Sequence, residues 1–371
     1  MIPEKTYVYL DHNATSVIRP LVVAAMQEIY ERPYNASSVH LLGRDAKSFL
    51  SCARSILAEH IDCEAESIFF TSGGTESNNM VLRSGWERLF CSSTEHDSIY
   101  QVPLTNAVPV LSSGVLDLDA LENFLKENNH KKTLVSVHWA NNETGVIQPV
   151  QKIAEIVHRY GASLHVDGVQ VLGKMSLSFK ESGIDFLSLS AHKMGGPQGV
   201  GALIMKKGLM LSPLFVGGGQ EKFLRPGTEN IAGIVGFGEA IRHVDFTIFD
   251  RLRQQHQAME KEFLELSHKH GKPVLIVGHQ EDRLPNTTCF STPAISNQSQ
   301  LIYFDLKGIG VSIGSACSSR TVKPSRVLKN MGFSEEVVHS SIRVSSGWNT
   351  TESDFLKFKE TWKELFLKTI Q

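Results

Sequence analysis

Phe186-Leu187-Ser188-Leu189-Ser190-Ala191-His192-Lys193-Met194-Gly195-Gly196-Pro197 is the stretch that decides the fold. Its first five residues have the length and apolar content of a buried strand. The run then breaks into Ala191, His192 and Lys193 and a Gly-Gly-Pro turn, which leaves a lysine where a strand ends. The same grammar repeats outward. Val200 to Met205 follows as another strand. Upstream, Leu164-His165-Val166 reads as a strand ending at Asp167, Leu134-Val135-Ser136-Val137-His138 as another, and Ser67-Ile68-Phe69-Phe70-Thr71 as a third that runs into Gly73-Gly74 and a helix start. Between them Pro149 opens a stretch with Ile153, Ile156 and Val157 at helical spacing.

Strands separated by helices predict an α/β chain with a mostly parallel sheet covered on both faces. Ligands of such sheets sit beyond the carboxyl ends of the strands, and Thr71, Asn141-Asn142, Asp167 and His192-Lys193 all fall there. After about Gly238 the pattern changes. Asp250 to His270 reads as a long charged helix with Leu252, Met259, Phe263 and Leu266 on its apolar face; short strands and a final helix, Ser353 to Leu367, follow. This part is expected to form a smaller α+β domain.

The bulk numbers narrow the class. A chain of 371 residues that is 41% hydrophobic has ample core for two domains. A net charge of −2 offers no basic excess for direct nucleic-acid binding. No apolar run approaches the ~20 residues of a membrane span, and Met1 to Leu10 has no apolar core of signal-peptide length. Five cysteines at irregular spacing, with no CxxC pair, give little support to a metal site or redox pair. The expectation is a cytoplasmic protein with reduced thiols.

Several segments can carry chemistry. Lys193, at a strand end and followed by glycines, can reach into a cleft, as pyridoxal 5'-phosphate (PLP) requires of the lysine that holds it as a Schiff base; by itself it reads more readily as a solvated loop lysine, the fate of most lysines. Asp167, in His165-Val166-Asp167-Gly168-Val169-Gln170, can keep a pyridine nitrogen protonated, with Gln170 near the ring hydroxyl oxygen; the alternative is an aspartate that caps a turn. Thr71-Ser72-Gly73-Gly74-Thr75-Glu76-Ser77 forms a phosphate seat or an ordinary helix N-terminus. It lacks the GxxxxGK[ST] pattern, which argues against ATP. His96, one of 15 histidines, can stack on a planar ring and shuttle protons. Cys317, among the small residues Gly314-Ser315-Ala316-Cys317-Ser318-Ser319, is the best candidate nucleophile, expected in a mobile, exposed loop. Cys289, beside Phe290, reads as structural. Arg343, in Ser341-Ile342-Arg343-Val344-Ser345, can grip a carboxylate or form an ion pair between domains.

Taken together, these segments resemble the cysteine desulfurases of the NifS/IscS type, within the class V aminotransferase-like PLP enzymes. The similarity runs nearly end to end: Tyr9 to Thr15, Asn35 to His40, Thr71 to Asn78, Ala140 to Gly145, His165 to Asp167, Ser190 to Lys193, Arg225 to Asn230 and Gly314 to Cys317. It implies the PLP-dependent transferase fold of type I, with residues 13–250 as the large cofactor-binding domain and 1–12 with 251–371 as the small domain carrying the cysteine loop. It implies that Lys193 carries the cofactor and moves protons, that Asp167 and Gln170 tune the ring and His96 stacks on it, and that Gly74, Thr75, Ser190 and His192 seat the phosphate. By the same resemblance Thr228 reaches the phosphate from a second subunit of a homodimer, Asn142 and Arg343 bind the substrate carboxylate of L-cysteine, and Cys317 accepts the sulfur as a persulfide. The cysteine loop and Lys323-Pro324-Ser325 resemble the longer-loop group. A sulfur-acceptor protein such as an iron–sulfur scaffold, or a tRNA-thiolation carrier, is implied downstream.

Three departures stand out: His12 where the family usually has asparagine, Ala36 for a usual proline, and Ser346-Gly347-Trp348 for the more usual Leu-Gly-Arg. The last leaves fine substrate geometry open. The rival expectations are a selenocysteine lyase or class V aminotransferase on the same fold, and a catalytically silent protein that presents sulfur-assembly partners.

Overall fold

A computed structural model describes residues 7–128, 131–314 and 324–368; Cys317 and Lys323 lie outside them. Near the N-terminus a short strand, β1 (Val8–Tyr9), precedes the strands of the main sheet: β2 (Ile68–Thr71), β3 (Arg88–Ser92), β4 (Thr105–Val108), β5 (Thr133–His138), β6 (Ser163–Asp167), β7 (Phe186–Ser190) and β8 (Gly201–Met205). They form one seven-stranded sheet in the order β2-β8-β7-β6-β5-β3-β4. β8 runs antiparallel to both neighbours and the remaining pairs are parallel. β2, β5, β6 and β7 therefore point the same way, and their carboxyl ends, Thr71, His138, Asp167 and Ser190, share one edge of the sheet. Register tightens this: His138 pairs with Asp167, and Asp167 with Ser188.

The central strands β5, β6 and β7 are buried along almost their whole length, as in a sheet covered on both faces. Val135, Val137, Leu164, Val166, Leu187 and Leu189 are wholly buried. The helix Val150–Arg159 covers one face through Ile153, Ala154 and Val157, at the spacing seen in the sequence. The strands β3 and β4, not assigned from sequence, complete one end of the sheet.

The second unit is built on a three-stranded antiparallel sheet of β9 (Leu275–Ile276), β10 (Thr287–Ser291) and β12 (Ser341–Ser345), ordered β12-β10-β9; β11 (Ile309–Gly310) pairs in parallel with β1. Helices Phe246–His270 and Glu352–Lys368 pack Phe249, Leu252, Met259, Phe263, Phe355, Phe358, Trp362 and Phe366 over Phe290, Ile342 and Val344. Val8 and Leu10 join the same core. The long helix starts at Phe246, four residues before its expected first turn, because Asp245 caps it by accepting from Thr247 N. The expected dividing line at 250/251 falls inside this helix, and Phe249 packs in the same core as Leu252.

Candidate active site

At the carboxyl edge of the main sheet lies a cavity of about 300 Å³. Ten of the twelve residues singled out from sequence line it: Gly74, Thr75, His96, Asn142, Asp167, Gln170, Ser190, His192, Lys193 and Arg343. The other two are Cys317, outside the described residues, and Thr228, which is exposed and does not line this cavity. Gly314, three residues before Cys317, does line it. A larger cavity of about 770 Å³ between helices Pro20–Tyr30, Leu41–His60 and Ile231–Arg242 contains none of the candidates, so size is a poor guide here and chemistry the better one.

Lys193 ends the tight turn that follows β7. Its Nζ donates to the backbone carbonyls of Asn13 and Ala14, both at 2.6 Å, which holds the amine at the cavity wall. His192 beside it has Nδ1 3.1 Å from Thr15 Oγ1. Burial, then the charges of Lys193 and Lys174, push its pKa down to about 4, so the ring is a neutral donor near pH 7.

Across the cavity, the Asp167 carboxylate is fixed at both oxygens. Oδ1 accepts from Val169 N at 3.0 Å and Oδ2 from Asn78 Nδ2 at 2.8 Å. Asn78 Nδ2 also donates to Ser98 Oγ at 2.9 Å, and Ser98 Oγ lies 2.8 Å from His96 Nδ1. One amide thus ties the carboxylate to the histidine. His96 caps the short helix Asp97–Tyr100 by accepting from Ser98 N, so Nδ1 is an acceptor and Nε2 is left to carry the proton. Asn78 Oδ1 is buried with no partner among the described residues.

The helix Gly74–Leu82 begins at the cavity with Gly74 and Thr75. Its first N–H groups have no intrahelical acceptors, and its dipole favours an anion there. Gly74 is required by close approach: a Cβ there would stand 2.6 Å from Val169 Cγ2. Seat, carboxylate and lysine are therefore pressed together around one volume.

Arg343 comes from β12 and is 2% exposed. It donates to Asn142 O at 2.9 Å and to Asp11 Oδ1 at 2.5 Å. The ion pair expected as one alternative is present, but it does not run between the two expected domains: Asp11 bridges to Ser345 on Arg343's own strand. The pair orients the guanidinium while leaving it on the cavity wall.

The departures from the family pattern find their own partners away from the cavity. His12 is buried with Nδ1 2.9 Å from Ser16 Oγ, and a Cβ at Gly347 would fall 2.0 Å from that ring, so the bulkier His12 depends on Gly347. Ser346 Oγ sits 2.9 Å from His256 Nε2, whose Nδ1 is 2.8 Å from Thr288 Oγ1. Trp348 donates to Val17 O at 2.7 Å and lies under the Arg19 guanidinium at 4.9 Å. None of His12, Ser346 and Trp348 lines the cavity.

Sequence reasoning assigned no role to Asn13, Asn78, Lys174 or Glu143. Asn13 and Asn78 sit inside quoted motifs. Lys174 follows Gln170 by four positions, a spacing that brings side chains together over one turn. Glu143 accepts from Ser325 Oγ at 2.6 Å, and a Cβ at Gly314 would lie 2.8 Å from the same carboxylate. Burial raises its pKa.

With this geometry in hand, comparison with known proteins is decisive. The profile described as aminotransferase class-V matches residues 8–358. A cysteine desulfurase IscS from Dictyoglomus turgidum is 36% identical over 94% of this chain and 92% of its own. The chain belongs to the class-V aminotransferases, among the cysteine desulfurases of the NifS/IscS type. A cysteine desulfurase from Sinorhizobium fredii is 38% identical over 93% of each chain. A NifS-like protein from Rickettsia africae superposes with a TM-score of 0.88 at 36% identity, covering 97% of this chain and 99% of that one. These relatives bear out the α/β reading with a mostly parallel sheet.

Proposed function

We propose that this class-V aminotransferase is a PLP-dependent cysteine desulfurase, which converts L-cysteine to L-alanine and passes the sulfur to Cys317 as a persulfide. The observation that carries the reading is the convergence of Lys193, Asp167 and Arg343 on one cavity with a helix N-terminus at its side. The donor set suits a flat anionic pyridine. Asp167 would meet a ring nitrogen, Gln170 an oxygen beside the ring, His96 a ring face, and Gly74, Thr75, Ser190 and His192 a phosphate. Thr228, exposed in this chain, is read as reaching the same phosphate in a second copy, which makes the active form a homodimer.

PLP, when bound, supplies an electron sink for the substrate's α-carbon. The chain supplies the rest. Arg343 and Asn142 hold the substrate carboxylate, with the guanidinium already oriented by Asp11. The Lys193 amine, kept at the wall by the carbonyls of Asn13 and Ala14, takes the α-proton. Asp167, its carboxylate immobilised by Asn78 and Val169, would keep the ring nitrogen of the bound cofactor protonated. Cys317 then attacks the substrate sulfur as a thiolate. The S–S bond forms as the C–S bond breaks, its electron pair stays on carbon and is protonated, and alanine leaves. One thiol and one cysteine give one persulfide and one alanine, with no outside oxidant. Gly314 lines the cavity, and three residues of chain span at most ~11 Å, which supports a thiol at Cys317 within reach of substrate. An iron–sulfur scaffold or tRNA-thiolation carrier is the acceptor class proposed, and the cytoplasm the compartment. Among the described residues no helix is long and apolar enough to cross a membrane.

The test is a product assay on protein purified with excess PLP. Alanine and sulfide released in equal amounts from cysteine with a thiol reductant present support the reading. Amino transfer to a keto acid without sulfide, or release from selenocysteine alone, would replace it with a transaminase or a selenocysteine lyase. No cofactor absorption band and no turnover would leave the silent binding protein.

A further inference from the structure

Beneath the cavity a second lysine is enclosed. Lys174 is 3% exposed. Its Nζ donates to Gln170 Oε1 and to Asn13 Oδ1, both at 2.8 Å. Its two acceptors are themselves joined, because Gln170 Nε2 donates to the backbone carbonyl of Asn13 at 3.0 Å. That carbonyl also accepts from Lys193 Nζ. The amide nitrogen of Asn13 continues the network to Asn142 O and Thr287 Oγ1. Lys174 therefore touches Gln170, the residue proposed beside the ring oxygen, directly, and reaches the Lys193 amine and the carboxylate-binding wall through Asn13.

The decisive chemical fact is that a lysine ammonium only donates. An amide side chain can ordinarily flip, exchanging its oxygen and nitrogen ends. Lys174 removes that freedom by demanding oxygen from both Gln170 and Asn13, which turns both amide nitrogens away from it. Gln170 lines the cavity, and a side-chain amide nitrogen that donates once, to Asn13 O, has a second N–H. We propose that Lys174 is a positioning residue that locks Gln170 with its N–H edge toward the cavity, where it donates to the oxygen beside the cofactor ring. The inference rests on the PLP reading of the site and deepens it.

The electrostatics agree with the geometry. Burial, then the charges of Lys193 and Arg343, push Lys174 well below its ordinary value. Charged or neutral, the amine has an N–H for each of the two side-chain oxygens it meets. His12 and His192, the histidines on which the Lys174 charge acts, are pushed down to about 3 and about 4, chiefly by burial, so neither brings a charge near pH 7.

A donor on the ring oxygen stabilises its negative charge and so lowers the basicity of the neighbouring lysine–cofactor nitrogen. The readout is the pH midpoint of the lysine–cofactor absorption band, taken on PLP-reconstituted protein without substrate. Lys174→Met and Gln170→Met are each expected to raise the midpoint by about one pH unit, the size of a lost hydrogen bond to a charged group. The double variant is expected to rise no further than either single one, because Lys174 acts through Gln170. Gln170→Glu retains the contact with Lys174 but presents an acceptor to the ring oxygen, and is expected to raise the midpoint beyond Gln170→Met. That variant decides the matter should Lys174→Met fail to fold. An unmoved midpoint in Lys174→Met or in Gln170→Glu overturns the inference. So does a second, additive rise in the double variant, which would mean that Lys174 acts by its own charge. A wild-type protein with no such band overturns the cofactor reading beneath it, and is distinguishable from a band that is present and does not move.

Discussion

The two cores of the molecule are built on opposite principles. Around the cavity, the side chains that matter are polar and are held by hydrogen bonds: Asn78 to Asp167, Lys174 to Gln170, Arg343 to Asp11. In the second unit the centre is a stack of rings. Trp362 lies 3.8 Å from Phe263 and 4.9 Å from Phe366 between ring centroids, and Phe358 lies 5.0 Å from Phe304. Hydrogen bonds fix direction, which a reacting group needs. Aromatic packing fixes position and contributes stability without offering chemistry. The two meet on β12, where Ile342 and Val344 are buried in the aromatic core and Arg343 between them faces the cavity. The alternation of a strand lets one element belong to both.

The largest effect expected from this contrast is at Lys193. Lys193→Ala should lower turnover by about 10²–10⁴-fold, the worth of a positioned acid–base group, while the thermal midpoint stays close to wild type. A comparable fall in the midpoint would mean that the lysine is structural. The mirror-image change is Trp362→Ala, which should cost about 3–5 kcal/mol of unfolding free energy and leave the cofactor band of the folded protein unchanged. A shifted band at unaltered stability would break the division between the two cores.

A smaller effect spans both regions. His165 in the main sheet is held down to about 4, and His256 and His12 to about 3, each chiefly by burial. Unfolded histidines titrate near 6.5, so below that pH the unfolded chain binds more protons than the folded one. Stability is therefore fully present above pH ~6.5 and is lost as pH falls toward 3–4, each ring contributing up to about 1.4 kcal/mol per pH unit. Denaturant midpoints at about pH 7.5 and about pH 5 check the sign; equal midpoints would mean that the rings titrate freely in the folded state.

The parts of this design legible in the sequence are those with a local signature. β7 was readable to the residue because five largely apolar positions end at a lysine and glycines, and the cavity residues because they stand at the ends of such strands. β3 and β4 were not: Arg88 and Ser92 confine the apolar part of β3 to Leu89, Phe90 and Cys91, too short to separate from a helix segment, and Thr105, Asn106 and Ala107 leave β4 neither apolar nor alternating. Asn78 and Lys174 were missed for another reason. Each matters through a residue distant in sequence or hidden in a turn, Asp167 for one and Asn13 for the other, and no period announces such a partner. The neighbours of the altered Ser346-Gly347-Trp348 stretch, His256, His12 and Arg19, were equally hidden, because each lies far from it in sequence.

The claim on which the account turns is that an amine and a thiol act on one bound cysteine. It is tested most directly by a single turnover with cysteine, followed by peptide mass analysis of the segment containing Cys317. The expected result is a Cys317 peptide heavier by one sulfur atom, with one alanine released per modified chain, and neither product from Cys317→Ala although its cofactor band is intact. Alanine formed at the wild-type rate by Cys317→Ala, or with the Cys317 peptide unmodified in the wild-type protein, would contradict it.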